Sequence, residues 1–224
     1  MTVLAALLLV GAVVAAVYAF AAGATARSVS AALTVTCADA TTADGVIAVS
    51  GTAEPGPEGP VHAPLSGTAC VWYEVETVER WDDHEDDDDP ATGRGTRTES
   101  RRQVSDRPFV LRDAFGTVLV DPHGGAKADH LPVSFEEHGV AAGDTPGESR
   151  ADHKESVLVT GDAVFVTAEV VAHRDGLAVL GGPGLLVSGR TGAAIRAAGQ
   201  TGQRAGAVIA IALAAAGVVV LLLD

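Results

Sequence analysis

Two uncharged apolar runs, Val3–Ala22 and Ala205–Leu223, bracket the chain and leave almost no sequence outside them. At about 1.5 Å of rise per residue, each run as a helix matches the ~30 Å hydrocarbon core of a bilayer. Both are therefore expected to be transmembrane helices, and the lipid bilayer is the first partner the sequence implies. The rival reading of the first run is a secretory leader cut after Ala24-Thr25-Ala26, but Met1-Thr2 supplies no basic start and the run exceeds the usual leader core. Small residues recur at four-residue spacing in both runs, at Gly11, Ala15 and Ala19 and at Gly206, Ala210 and Ala214. Such stripes let two helices approach closely, so pairing through these six residues is a further expectation.

The section between the anchors, taken as 28–195, is long enough for one medium domain with its own core. Its charge is strongly acidic, within a net charge of −14 for the whole chain. That sign argues against the phosphate backbone of a nucleic acid as partner, and no nucleic-acid partner is expected. Arg27 follows the first run and Arg190, Arg196 and Arg204 precede the second, which leans the domain slightly to the cytoplasmic side of the membrane. Two cysteines, Cys37 and Cys70, form no CxxC pair and cannot build a zinc ribbon or a redox motif. Each sits in an alternating apolar stretch, where a buried thiol is the default and a single disulfide the alternative.

Periodicity along this section is that of strands. Leu33, Val35 and Cys37 alternate with threonines, and Val46–Ser50 follows Asp44-Gly45. Glu54–Gly67 holds four prolines and reads as a loop. The stretch from Ala69 to Arg80 is the strongest strand, with Val71, Tyr73 and Val75 on one face and Trp72, Glu74 and Glu76 on the other. Residues 82–104 open with Asp82-Asp83-His84-Glu85-Asp86-Asp87-Asp88-Asp89 and are nearly without apolar residues, so an acidic disordered loop is expected there. Calcium binding by that run is the sharper alternative, but the glycine-punctuated spacing of an EF-hand is missing. Phe109–Arg112 and Thr117–Asp121 flank Asp113-Ala114-Phe115-Gly116, a hairpin connection with glycine placed for a positive φ. Val157–Val159, Ala163–Ala172, Leu177–Leu180 and Leu185–Val187 supply further strands, with a reversal at Arg174-Asp175-Gly176. Gly181-Gly182-Pro183-Gly184 reads as a turn between two of them. The fold class that follows is mainly β, a small antiparallel barrel or sandwich with an OB-like barrel among the options, flanked by two transmembrane α-helices.

Reactive chemistry is sparse. His123, His130 and His138 lie near Asp121, Asp129, Glu136 and Glu137, yet none has HxxH or HExxH spacing, and no metal site is expected. Ser66 and Ser188 sit beside glycine without the GxSxG elbow, so no catalytic residue is assigned. The glycines at 181, 182 and 184 precede no GK[ST], so no phosphate cradle and no cofactor are expected. A binding or interaction module remains, with Trp72 and Trp81 beside the acidic run as its candidate surface and a protein of unknown identity as partner.

Four stretches, GVIAVSGTAEP (45–55), APLSGTACVWY (63–73), PFVLRDAFGTVLVDP (108–122) and ESVLVTGDAVFVTAEVV (155–171), together resemble the GIDE family, whose domain is also called BAM, for "beside a membrane". Their order between two membrane helices is similar to the family layout across nearly the whole chain. Relatives of this kind include mitochondrial E3 ubiquitin ligases, in which a RING finger recruits the conjugating enzyme. No paired zinc ligands of a RING occur in these 224 residues. The chain is similar to prokaryotic members of the family, which often lack a RING, and the resemblance thus implies architecture and recognition but no transferase residue. Gly161-Asp162-Ala163-Val164-Phe165-Val166 also resembles the barrels of NfeD-type membrane proteins, so the alternative roles the resemblances imply are a component of a ubiquitin-type ligase or an accessory of a membrane protease.

Overall fold

The computed structural model describes residues 13, 14, 17, 27, 29–83, 95–141, 149–198, 201 and 209. They fall into two compact units, Val35–Gly189 and a second made from both ends of the chain, 1–34 and 190–224. In the terminal unit the described residues 29–31 and 192–198 are helical, and β1 (Leu33–Thr34) is a two-residue strand. Among the described residues no helix is long and apolar enough to cross a membrane. The expected spans Val3–Ala22 and Ala205–Leu223 lie outside them except for Val13, Val14, Val17 and Ile209, which are helical and exposed. The six small residues expected to pair the helices, Gly11, Ala15, Ala19, Gly206, Ala210 and Ala214, also lie outside the described residues.

The unit Val35–Gly189 is built on a closed five-stranded barrel. Its strands in chain order are β2 (Val46–Glu54), β7 (Phe109–Arg112), β8 (Thr117–Val120), β12 (Ala163–Arg174) and β13 (Leu177–Ser188). Antiparallel pairing joins β7 to both β2 and β8, and β12 to both β2 and β13. The ring closes through a parallel pair, Val179 with Leu119 and Leu180 with Val120. Numbered within the barrel, the strands run 1-2-3-5-4 and back to 1. Side chains at period two fill the interior: Ile47, Val49 and Ala53 from β2, Phe109 and Leu111 from β7, Val118 and Val120 from β8, Val164, Val166 and Ala168 from β12. Each fully buried large apolar side chain of this kind contributes roughly 1.5–3 kcal/mol through burial.

Local chemistry sets the turns. Asp113 Oδ1 accepts the amides of Phe115 and Gly116 at 2.8 and 2.9 Å, which holds the β7–β8 hairpin. Gly116 is not at positive φ as the spacing suggests; a side chain there would press on the backbone of Ala38, 3.2 Å from the ideal Cβ position. Asp175 and Gly176, at φ 52° and 81°, form the expected reversal between β12 and β13 with the left-handed pair a two-residue hairpin requires. Gly181-Gly182-Pro183-Gly184 is not a turn between strands. It lies inside β13, where register shifts against β12 and a φ of 90° at Gly182 bend one long strand.

Long insertions follow the first and third barrel strands. They contribute β3 (Val61–His62), β4 (Ala69–Cys70), β5 (Trp72–Asp83), β6 (Gly95–Val104), β9 (Lys127–Asp129), β10 (Val133–Ala141) and β11 (Ser149–Leu158). Four of these form a second antiparallel sheet in the order β10-β11-β5-β6. Its central pair runs in continuous register from Trp72 opposite Leu158 to Trp81 opposite Ser149. The sheet is rooted in the barrel, since Trp72, Leu158 and Val104 join the barrel's core cluster. Beyond that root it is a polar arm.

The arm corrects the expectation of disorder over 82–104. Residues 95–104 are a strand paired to β5 from Glu74 opposite Val104 to Asp83 opposite Gly95, and only 84–94 lie outside the described residues. A strand whose one large apolar residue is Val104 does not fold alone, but β5 offers an edge carrying complementary charge. Arg102 bonds Glu74, and Arg97 stacks 5.7 Å from the centre of the Trp81 ring. The short strand β3 likewise falls inside the proline-rich stretch expected to be loop.

Barrel closure sets a sharp steric demand at Gly51. A Cβ there would lie 2.4 Å from the carbonyl oxygen of Arg112 across the β2–β7 seam. Gly51→Ala is expected to destabilise the domain by about 1–3 kcal/mol, the usual cost of overpacking, measured by chemical denaturation. An unchanged midpoint would show that the seam yields freely.

Candidate functional site

Glu155 is the most unusual side chain of the domain, a carboxylate with no exposure to solvent. It stands on β11 in phase with Val157, on the face covered by the β3–β4 hairpin, where Val61, Ala63, Cys70 and Val157 form a small second core. Four donors converge on it. The amides of Leu65 and Ser66 donate at 2.7 and 3.2 Å, and the hydroxyls of Ser66 and Ser134 at 2.5 and 2.7 Å. Burial alone would raise its pKa, but the hydroxyls of Ser66 and Ser134 and the two amides outweigh burial and hold the carboxyl below the usual range. Glu155 thus latches the 63–68 loop to the root of the arm, and Ser66 is spent on that latch rather than free as a nucleophile. Sequence reasoning missed Glu155, although its position in phase with Val157 and Val159 was the available signal.

On the opposite face of the sheet a cleft of about 420 Å³ opens between the arm and the segment leading from β9 to β10. Glu74, Glu76, Lys154 and Ser156 line it from the sheet, with Lys154 opposite Glu76 and Ser156 opposite Glu74. His130 and Leu131 close the other side. His130 adopts the left-handed region at φ 52°, and its Nδ1 lies 3.0 Å from Asp129 Oδ1. Buried Ser188 donates to the other oxygen of the same carboxylate at 2.7 Å. Gly189 is required beside it, since a Cβ there would meet the His130 carbonyl oxygen at 2.4 Å.

Serine, aspartate and histidine therefore meet, but in an order that does not make a nucleophile. The carboxylate stands between hydroxyl and imidazole, so Ser188 donates to Asp129 and its proton is not presented to the His130 ring. A triad needs the imidazole in the middle. What the arrangement does provide is an imidazole fixed through one nitrogen at the mouth of a polar cleft.

The other residues singled out by sequence separate widely in role. Trp72 is not a surface residue: it is fully buried in the barrel core, because the strand that looks amphipathic over Ala69–Arg80 leaves the core midway along its length. Trp81 stays on the arm, half-buried beneath Arg97. His138 faces Glu136 and Asp152 at 3.5 and 3.6 Å, His123 is exposed with its amide on Asp121, and His130 keeps to Asp129. Among the described residues no three His, Cys, Asp or Glu side chains converge to hold a metal ion. Cys37 and Cys70 are free and buried. Burial, with the charge of Asp113, pushes Cys37 up to about 12, and burial with Glu155 pushes Cys70 up to about 11. No family model, curated protein or solved structure matches the chain.

Two measurements follow from these side chains. A carboxylate held below its unfolded-state pKa of about 4.3 stabilises the fold above that pH, and the contribution is lost as pH falls through the folded value. Glu155→Gln is expected to cost about 1.5–3 kcal/mol at pH 7 and to flatten the acid limb of the stability curve; an unchanged curve would remove the latch. Both thiols are expected to resist a thiol reagent at pH 8 in the native protein and to titrate fully in denaturant. Rapid native labelling of either cysteine would contradict their burial.

Proposed function

We propose that the chain is a membrane-tethered, non-catalytic recognition module whose barrel holds a polar sheet arm out to a protein partner. The observation that carries this reading is the arm itself. Among the described residues, those of its outer part at 76–81, 97–103 and 150–154 join neither the barrel's core cluster nor the one around Val157, and of them only Ala151 is buried. Strands that the core does not need are available for an external role. Trp81 and Arg97 form the aromatic and cationic pair on that arm, a combination enriched in binding hot spots. The barrel connectivity supports an OB-like fold, an architecture that commonly serves binding rather than one fixed chemistry.

The tether in this reading is the pair of apolar runs Val3–Ala22 and Ala205–Leu223, with the domain on the cytoplasmic side. The GIDE-like order of four motifs agrees with such a layout. A second reading, an accessory of a membrane protease, is favoured by the same OB-like connectivity together with the NfeD-like segment Gly161–Val166 at the entry to β12.

The test places a photo-crosslinking amino acid at 81 and, separately, at 123, in the full chain in native membranes. A discrete adduct from 81, absent from 123, in a chain that resists alkaline carbonate is the expected result. No adduct from 81, or the same adducts from both positions, would contradict the arm as the recognition surface. Release by carbonate would contradict the tether.

A further inference from the structure

The cleft between the arm and the β9–β10 segment has the charge arrangement of a site for a small zwitterion. On its floor Lys154 stands directly opposite Glu76, and Arg102 stands opposite Glu76 on the other side. Arg102 does not pair with that carboxylate. Its guanidinium bonds Glu74 and the carbonyl oxygen of Ala126, which pins the arm to the barrel segment and draws the guanidinium away from its cross-strand neighbour. Among the described residues neither Glu76 nor Lys154 has an ion-pair partner within 4 Å. Two unlike charges thus stand on neighbouring strands, unspent, lining an open polar cleft of about 420 Å³ that lies within the size range of small-ligand pockets.

The walls add directed polar groups. His130 is held through Nδ1 by Asp129, which leaves Nε2 for a ligand, and its backbone is kept in the left-handed region beside the close approach of Gly189. Non-glycine residues held in that region cluster at active sites and ligand clamps. Ser156 supplies a hydroxyl on the floor beside Glu74.

We propose that this cleft binds a compact zwitterion carrying a primary ammonium and an acidic group on adjacent carbons. Its ammonium is taken by Glu76 and its anionic group by Lys154, with Ser156 and His130 completing the contacts. Free amino acids and the phosphoethanolamine headgroup of a lipid share this chemistry. The inference does not depend on the recognition role of the arm.

The test follows the His130 ring resonances by NMR in the full chain in detergent, titrated with glycine and O-phosphoethanolamine and, as controls, with acetate and methylammonium. Saturable shifts with at least one zwitterion and none with either monovalent ion are expected. Glu76→Gln and Lys154→Gln, both exposed and so compatible with folding, should each weaken binding about tenfold or more while the circular dichroism stays unchanged. A parallel arm reconstitutes the chain in phosphatidylethanolamine and in phosphatidylglycerol bilayers: perturbation of His130 by the former alone assigns the lipid source, and response to glycine with no lipid difference assigns the free one. Absence of any shift in all arms, or equal shifts with acetate, would overturn the proposal and leave Glu76 and Lys154 as a cross-strand pair.

Discussion

Closure of the barrel through the parallel contact of β8 with β13 is the constraint on which everything else rests. A five-stranded sheet left open would expose two edges and the apolar faces of β2, β7 and β12. Closure requires strands of unequal length to meet, and the chain solves this at particular residues. Gly51 lets β7 come close to β2, and the glycine-rich stretch 181–184 bends β13 so that its first part serves β8 while its second part meets β9 in parallel. Its two cysteines are free and buried, Cys37 in the barrel's core cluster and Cys70 in the smaller cluster around Val157.

The arm inherits its position from this barrel and its character from its composition. Trp72 and Leu158 anchor adjacent strands in the apolar interior, and Glu155 locks the next layer through four hydrogen bonds. Past these residues the sheet is mostly polar, with Ala151 buried and Val78 and Trp81 half-buried, and register is held by backbone pairing and exposed ion pairs such as Arg80 with Asp152. Exposed ion pairs in water add little stability, so the arm is held at its root and is weakly held further out. Its edge strands β6 and β10 carry Arg97, Arg101 and Arg102 and Glu136, Glu137 and His138, charges that discourage edge-to-edge aggregation. The charged edges and the pair of Trp81 with Arg97 are the features of this sheet on which the proposed recognition role draws.

Much of the barrel was legible because its strands obey a simple rule of alternation and its turns carry their own chemistry. Asp113-Ala114-Phe115-Gly116 and Arg174-Asp175-Gly176 both announce reversals, and both occur. The arm was illegible for the complementary reason. Residues 95–104 and 149–154 have no apolar pattern, and they become strands only because β5 lends them an edge and opposite charges. Trp72 misled because alternation assumes that each face of a strand keeps one environment, whereas β5 passes from core to solvent. The cleft could not be read at all, since Glu76, Lys154 and His130 are brought together by the pairing of distant strands.

Native-state hydrogen exchange resolved by residue tests the central claim, a barrel that forms the folding core and an arm held mainly at its root. The account requires amides of β2, β12 and β13 to exchange only through global unfolding, while those at 76–83 and 95–103 exchange through local opening at much lower free energy. Equal protection across barrel and arm would contradict it, because the arm would then belong to the folding core.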